Sequence, residues 1–186
     1  MYDTSQFRKG LKIEIDDQPW IIVDFQHVKP GKGGAFVRTR IKNLVTQQVI
    51  DRTYRSGDKV GTPDVEDLTC SYMYFDGDYH FMNMATFESF GVPAENVGDA
   101  KNFLVENMEV SILLFRSAAI AIDLPNFITA AISVWEPGVA GNTAQGATKP
   151  VTLETGYVVQ VPLYIREDDK LKIDTRTGEF VERVKG

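Results

Sequence analysis

The sequence predicts an all-β protein made of three small barrels, and three observations lead there. Short runs of apolar or alternating residues recur along the whole length of 186 residues, the pattern left by half-buried strands. Clusters of Gly, Pro, Asp, Asn and Ser separate those runs at short intervals, and such residues end strands by supplying turns. The runs also fall into three groups of about sixty residues, each with five or so short strands, which suits SH3-like or OB-type barrels. Units so small are marginal alone, so docking between neighbours is expected, at least between the first and second.

In the first group, residues 1–63, LKIEI (11–15) alternates, WIIVDF (20–25) is a short apolar run and residues 36–42 alternate again. QVIDRTY (48–54) follows a turn at 43–47. SGDKVGTPD (56–64) collects turn formers and reads as a linker, which places the first boundary near residue 63. The second group, 64–127, offers strands at 68–75, 79–83, 109–115 and 119–124, with Asp76-Gly77 as the hairpin signal between the first two. Residues 95–108 suit one short helix with Val97, Phe103 and Leu104 on its apolar side. The third group, 128–186, opens with FITAAISVWE (127–136) and passes through a Gly/Thr-rich loop at 137–150. Strands return at 156–165, 170–174 and 179–184, with a turn at Thr177-Gly178. VSILLF (110–115) and VQVPLY (159–164) share apolar positions, and each precedes a strand ending in Ile-Asp. That is a faint internal repeat, as two copies of one barrel, or coincidence among strand-rich sequences, would leave.

Composition excludes several classes of function. At 43% hydrophobic and 25% charged residues the chain is ordinary globular protein. No apolar run approaches the ~20 residues that span a bilayer, and the polar start is no signal peptide. Cys70 has no second cysteine to pair with, so the cytoplasm is the expected compartment. Two histidines, His27 and His80, and one cysteine assemble no zinc pattern. Gly31-Lys32 lacks the earlier glycine and the following Ser or Thr of a phosphate-binding P-loop. A non-catalytic protein without metal or cofactor is expected.

The net charge of −6 hides an asymmetry. Residues 1–63 carry eleven Lys/Arg against seven Asp/Glu, whereas residues 64–127 carry two against eleven, and residues 128–186 seven against eight. A basic end points to an anionic partner there, nucleic acid being the usual one. Tyr72, Tyr74, Phe75 and Tyr79 are candidate stacking platforms for bases, but their acidic surroundings favour packing roles.

The chemistry-bearing stretch is HVKPGKGGAFVRTRIK (27–42). Pro30 fixes its own φ and pushes Lys29 toward an extended conformation. Gly31, Gly33 and Gly34 set no side chains beside Lys32. Six residues going out and back project at most about 10 Å. An uncrowded amine at such a tip suits contact with phosphate or RNA, or attack by a modifying enzyme; a flexible hairpin with a solubilising lysine is the plain alternative. Arg38, Arg40 and Lys42 fall at every second residue, so they share one strand face. With Lys29 and Lys32 they make a basic end, or else a solvated face.

VKPGKGGAF (28–36) resembles the tip loop of the bacterial elongation factor P family. KPVTLETGYVVQVPLYI (149–165) is similar to that family's C-terminal signature, with Lys149, Gly156, Val161, Pro162 and Ile165 at the expected spacing. FRKGLKIEIDDQPW (7–20), DLPNF (123–127) and IDTRTGEFVERVK (173–185) also match, so the resemblance runs from about Phe7 to Lys185. It implies an SH3-like (KOW) N-terminal barrel and two OB barrels arranged as an L. It implies a monomeric factor that binds the ribosome between the peptidyl and exit sites and relieves stalling at consecutive prolines. Lys32 then lies beside the acceptor end of peptidyl-tRNA, in many relatives lengthened by β-lysine or another group through a modifying enzyme. The hypusine-bearing factor of eukaryotes and archaea is the related case.

Three positions depart from the family pattern. The third-domain loop that approaches the exit-site codon is commonly Gly-Asp-Thr-Ala; here it is Gly141-Asn142-Thr143-Ala144, which keeps size and loses charge. Asp168 replaces a usual glycine and Val151 a frequent alanine. A general RNA-binding protein using its OB barrels without a ribosome is the competing function. A catalytic role is disfavoured by the missing constellations.

Overall fold

A computed structural model describes residues 1–138 and 146–185, and in it the chain is all-β apart from short helical turns. Two compact units are distinct: Met1–Asp67 with Leu113–Ala121, and Leu68–Ile112 with Ile122–Gly186.

The first unit holds β1 (Tyr2–Asp3), β2 (Lys12–Ile15), β3 (Gln18–Val28), β4 (Phe36–Asn43), β5 (Val49–Arg55) and β6 (Lys59–Val60). β2 to β5 pair in sequence order as an antiparallel sheet. The alternation in β4 is the cause: Val37, Thr39, Ile41 and Asn43 point inward and are buried, and the residues between them face out. Phe7, Leu11, Ile13, Ile22 and Tyr54 fill the core with Val37 and Ile41. WIIVDF does not alternate because the ladder shifts register between Ile22 and Asp24; such a bulge turns Val23 outward and bends the strand. Expected at 20–25, this strand continues to Val28. The expected linker is instead part of the barrel. Lys59 and Val60 pair with β1, and Gly61 bridges Glu14 so closely that a Cβ would lie 3.1 Å from the Glu14 Cβ.

The chain then forms β7 (Val65–Phe75), β8 (Asp78–Asn83), β9 (Ser89–Pro93), β10 (Glu109–Phe115) and β11 (Ala118–Asp123), in the sheet order β11-β10-β7-β8-β9. The last five strands are β12 (Phe127–Val134), β13 (Thr148–Leu153), β14 (Val158–Pro162), β15 (Lys170–Asp174) and β16 (Glu179–Val184), in the order β14-β13-β12-β15-β16. Both sheets therefore run third, second, first, fourth, fifth. The repeat read from the sequence is displaced by one strand, since VSILLF is the fourth strand of its sheet and VQVPLY the third of the other. Two positions of a strand look alike because both bury alternate residues.

Within the second unit the last group has the core Ile128, Ala130, Leu153, Val161, Leu171 and Ile173. β9 lay unseen because Ser89–Pro93 has one buried residue, Val92. β13 begins inside the expected loop, and the expected strand at 156–165 shortens to β14, ending at Pro162. The helix expected at 95–108 is α1 (Ala94–Val97) followed by a 3-10 turn, Gly98–Phe103. Gly98 takes φ 59° and breaks the α run, yet Val97, Phe103 and Leu104 are buried.

Candidate functional site

The tip loop is carried on the longest hairpin of the first unit. β3 and β4 stay paired out to Val28 and Phe36, so the loop leaves a rigid ladder. Lys29, Pro30, Gly31, Lys32, Gly33 and Gly34 are all exposed. Gly33 takes φ 110°, a conformation that L side chains avoid. A Cβ at Gly31 or Gly34 would meet nothing within 4 Å. Among the described residues no carboxylate lies within ion-pair distance of Lys32. The amine is therefore free to take a partner or a substituent.

Below the tip, Arg38 and Arg40 are exposed on the outer face of β4 and Lys42 is half-buried on the same face. The cross-strand partners on that face qualify its charge. Arg40 lies opposite Asp24 and Asp51, and its Nε donates to Asp51 Oδ1 at 3.1 Å. That bond raises the Arg40 pKa. Asp24 is drawn below the usual carboxylate range, first by the Lys9 ammonium, whose Nζ lies 3.2 Å away, and then by the backbone N–H of Phe25. Among the described residues no carboxylate pairs with Arg38; its guanidinium lies 5.5 Å from the Phe36 ring centre. Of the three expected cations, Arg40 is already half-neutralised and Arg38 is the freer one.

Two further arginines belong to this end of the molecule and were missed in the sequence. Arg52 lines, with Arg38 and Arg40, an open depression of about 400 Å³. Arg55 stands opposite Phe36 at the base of the tip loop. Three residues apart, they share no strand face in QVIDRTYR; the β4–β5 register sets Arg52 opposite Thr39 and Arg55 opposite Phe36.

Arg116, one of two bases in the acidic middle segment, is spent within the first unit. Its Nη2 lies 3.2 Å from Asp17 Oδ1 and 3.6 Å from Glu14 Oε1, and its backbone N–H donates to Asp64 O at 2.9 Å. Tyr74 stacks on His80 at 4.4 Å and Phe75 packs on Tyr79 at 4.5 Å. Tyr72 is buried. These aromatics serve hairpin and core packing. Among the described residues no three His, Cys, Asp or Glu side chains stand together as a metal site, and no helix is long and apolar enough to cross a membrane. Gly141, Asn142, Thr143 and Ala144 lie outside the described residues.

Family models match nearly the whole chain: the elongation factor P KOW-like domain over residues 3–60, its OB domain over 65–122, and its C-terminal domain over 121–183. The chain is 49% identical over 185 residues to elongation factor P of Bdellovibrio bacteriovorus, covering 99% of this chain and 98% of that one. It is 48% identical to elongation factor P of Moorella thermoacetica over 184 residues, covering 98% of this chain and all of that one. Among solved structures it resembles eukaryotic translation initiation factor 5A from Methanococcus jannaschii. The TM-score is 0.53 at 21% identity, over 65% of this chain and 90% of that one, a likeness of fold.

Proposed function

The chain belongs to the elongation factor P family of translation elongation factors, and from that membership we propose that it binds the ribosome between the peptidyl and exit sites and speeds peptide-bond formation at consecutive prolines. Lys32 carries the proposal: an exposed amine flanked by Gly31 and Gly33, held at the end of a paired hairpin. Proline is a constrained acceptor and donor, so the reacting ends meet in poor geometry. A factor that steadies peptidyl-tRNA lowers the barrier by positioning, leaving the ribosome to perform the chemistry. The factor needs no acid, base or metal of its own for that role.

Lys32 is on this reading lengthened by a lysine-modifying enzyme, so that the tip reaches the acceptor end of the tRNA. Arg38, Arg40 and Lys42 face RNA, and Gly141-Asn142-Thr143-Ala144 approaches the exit-site codon. Residues 1–63, 64–127 and 128–186 act as three domains in a cytoplasmic monomer; the spans of the three matching family models support that division.

Lys32→Ala tests the reading. The substitution removes an exposed side chain, so stability stays within about 0.5 kcal/mol of the parent, while relief of stalling on a polyproline reporter is lost. A variant that still relieves the stall, in translation reactions where the parent does so, would refute it.

A further inference from the structure

The same turn closes one hairpin in each third of the chain. It occurs as Asn43-Leu44-Val45-Thr46-Gln47-Gln48, Asn83-Met84-Ala85-Thr86-Phe87-Glu88 and Asp174-Thr175-Arg176-Thr177-Gly178-Glu179. In each, Oδ1 of the first residue accepts the third residue's N–H, at 2.8, 2.9 and 2.9 Å. The first carbonyl accepts the fifth N–H, at 2.9, 2.7 and 2.7 Å. The threonine hydroxyl at the fourth position accepts the sixth N–H, at 3.4, 3.3 and 3.3 Å. The fifth residue takes a left-handed φ, 65° for Gln47, 60° for Phe87 and 75° for Gly178.

Gly suits that conformation, and a bulky side chain is an outlier there. The ring of Phe87 contributes nothing to the turn, because Gln47 and Gly178 make the same hydrogen bonds without one. It is also 70% exposed, and Met84 in the same turn is 41% exposed. A strained aromatic with a methionine beside it, held out from a turn that a glycine would serve better, is placed for contact with something else.

We propose that Phe87, backed by Met84, is a docking knob that enters an apolar cleft on a basic protein of the ribosome. This rests on the ribosome-binding reading above. Charge selects protein over RNA as the partner: Glu88 follows Phe87 in the chain, and residues 64–127 carry eleven acids against two bases. That field repels a phosphate backbone and attracts a cleft rimmed by Lys and Arg. A buried aromatic anchor supplies a large share of binding at such contacts, and a phenyl ring loses little rotamer freedom on docking.

Phe87→Gly and Phe87→Gln copy the two sister turns, so the hairpin survives while the knob is removed. Binding of each full-length variant to purified ribosomes is expected to weaken about tenfold or more against the parent. Parent and variants binding alike within twofold would overturn the knob and leave the ribosome reading intact. A parent that does not bind at all would overturn both. A photo-reactive phenylalanine analogue at position 87 is expected to cross-link to a ribosomal protein; a cross-link to RNA, or none, would overturn the proposal.

Discussion

Phe87 shows what a single residue can give up locally. A left-handed backbone costs an L-residue roughly 1–2 kcal/mol, and glycine takes back about 0.5–1 kcal/mol through the entropy of the unfolded chain. Phe87→Gly should therefore leave the unfolding free energy unchanged or raise it by up to about 1.5 kcal/mol, read as an unchanged or raised urea midpoint. A lowered midpoint would mean that the ring is packed and supports the barrel. Lys32 was legible at this scale because its environment is local: Pro30 and three glycines lie within the same six residues. Arg52 and Arg55 were not, because their neighbours come from β4. The pairing of Arg40 with Asp51 was hidden for the same reason, so the expected basic face was overstated.

Among elements, strands were readable wherever one face is buried, as in β4 and β15, whose buried residues alternate. They were unreadable where that contrast fails. β9 buries only Val92, and β6 has two residues inside a stretch of turn formers. The bulge in β3 erased alternation from a strand of eleven residues. The common turn has Asn or Asp and Thr three residues apart, a spacing the sequence reading did not pick out, because its meaning lies in hydrogen bonds that spacing alone does not establish. Asp174 makes one of these turns sensitive to acid. The Arg176 side chain, then its backbone N–H, holds the Asp174 pKa below its ordinary 3.8. A carboxylate with a depressed folded pKa contributes stability above its unfolded value and loses it as pH falls through the folded one. The stability gap between the parent and Asp174→Asn should be open at pH 6 and close steadily below about pH 4. A gap that does not change with pH would show that the charged pair adds nothing.

For the molecule as a whole, fold class followed from periodicity and segment length, and the family from motifs spread over the entire chain. Strand pairing between distant segments, such as Tyr2 with Val60 or Phe127 with Asp174, did not. Charge distribution belongs to this scale too. Arg38→Glu with Arg40→Glu reverses the charge of one free cation and of one already paired with Asp51, so ribosome binding should fall by about an order of magnitude at moderate salt. The loss should shrink as salt rises, because phosphate contacts release counterions and are screened. Equal salt slopes for parent and double variant would place these arginines away from RNA.

The bare tip loop has one more consequence, for a protease. Exposed loop tips are preferred sites of nicking, and the bonds on either side of this one are held in the β3–β4 ladder. Trypsin cuts after lysine but not before proline, so the Lys29–Pro30 bond resists and Lys32–Gly33 is the open site. A first cut of the native protein should divide the chain into residues 1–32 and 33–186, which stay paired through β3 and β4 and separate on a denaturing gel. Lengthening the Lys32 side chain would carry it out of the trypsin specificity pocket and slow that cut. The half-life of the intact chain under dilute trypsin thus becomes a readout of the chemical state of one amine.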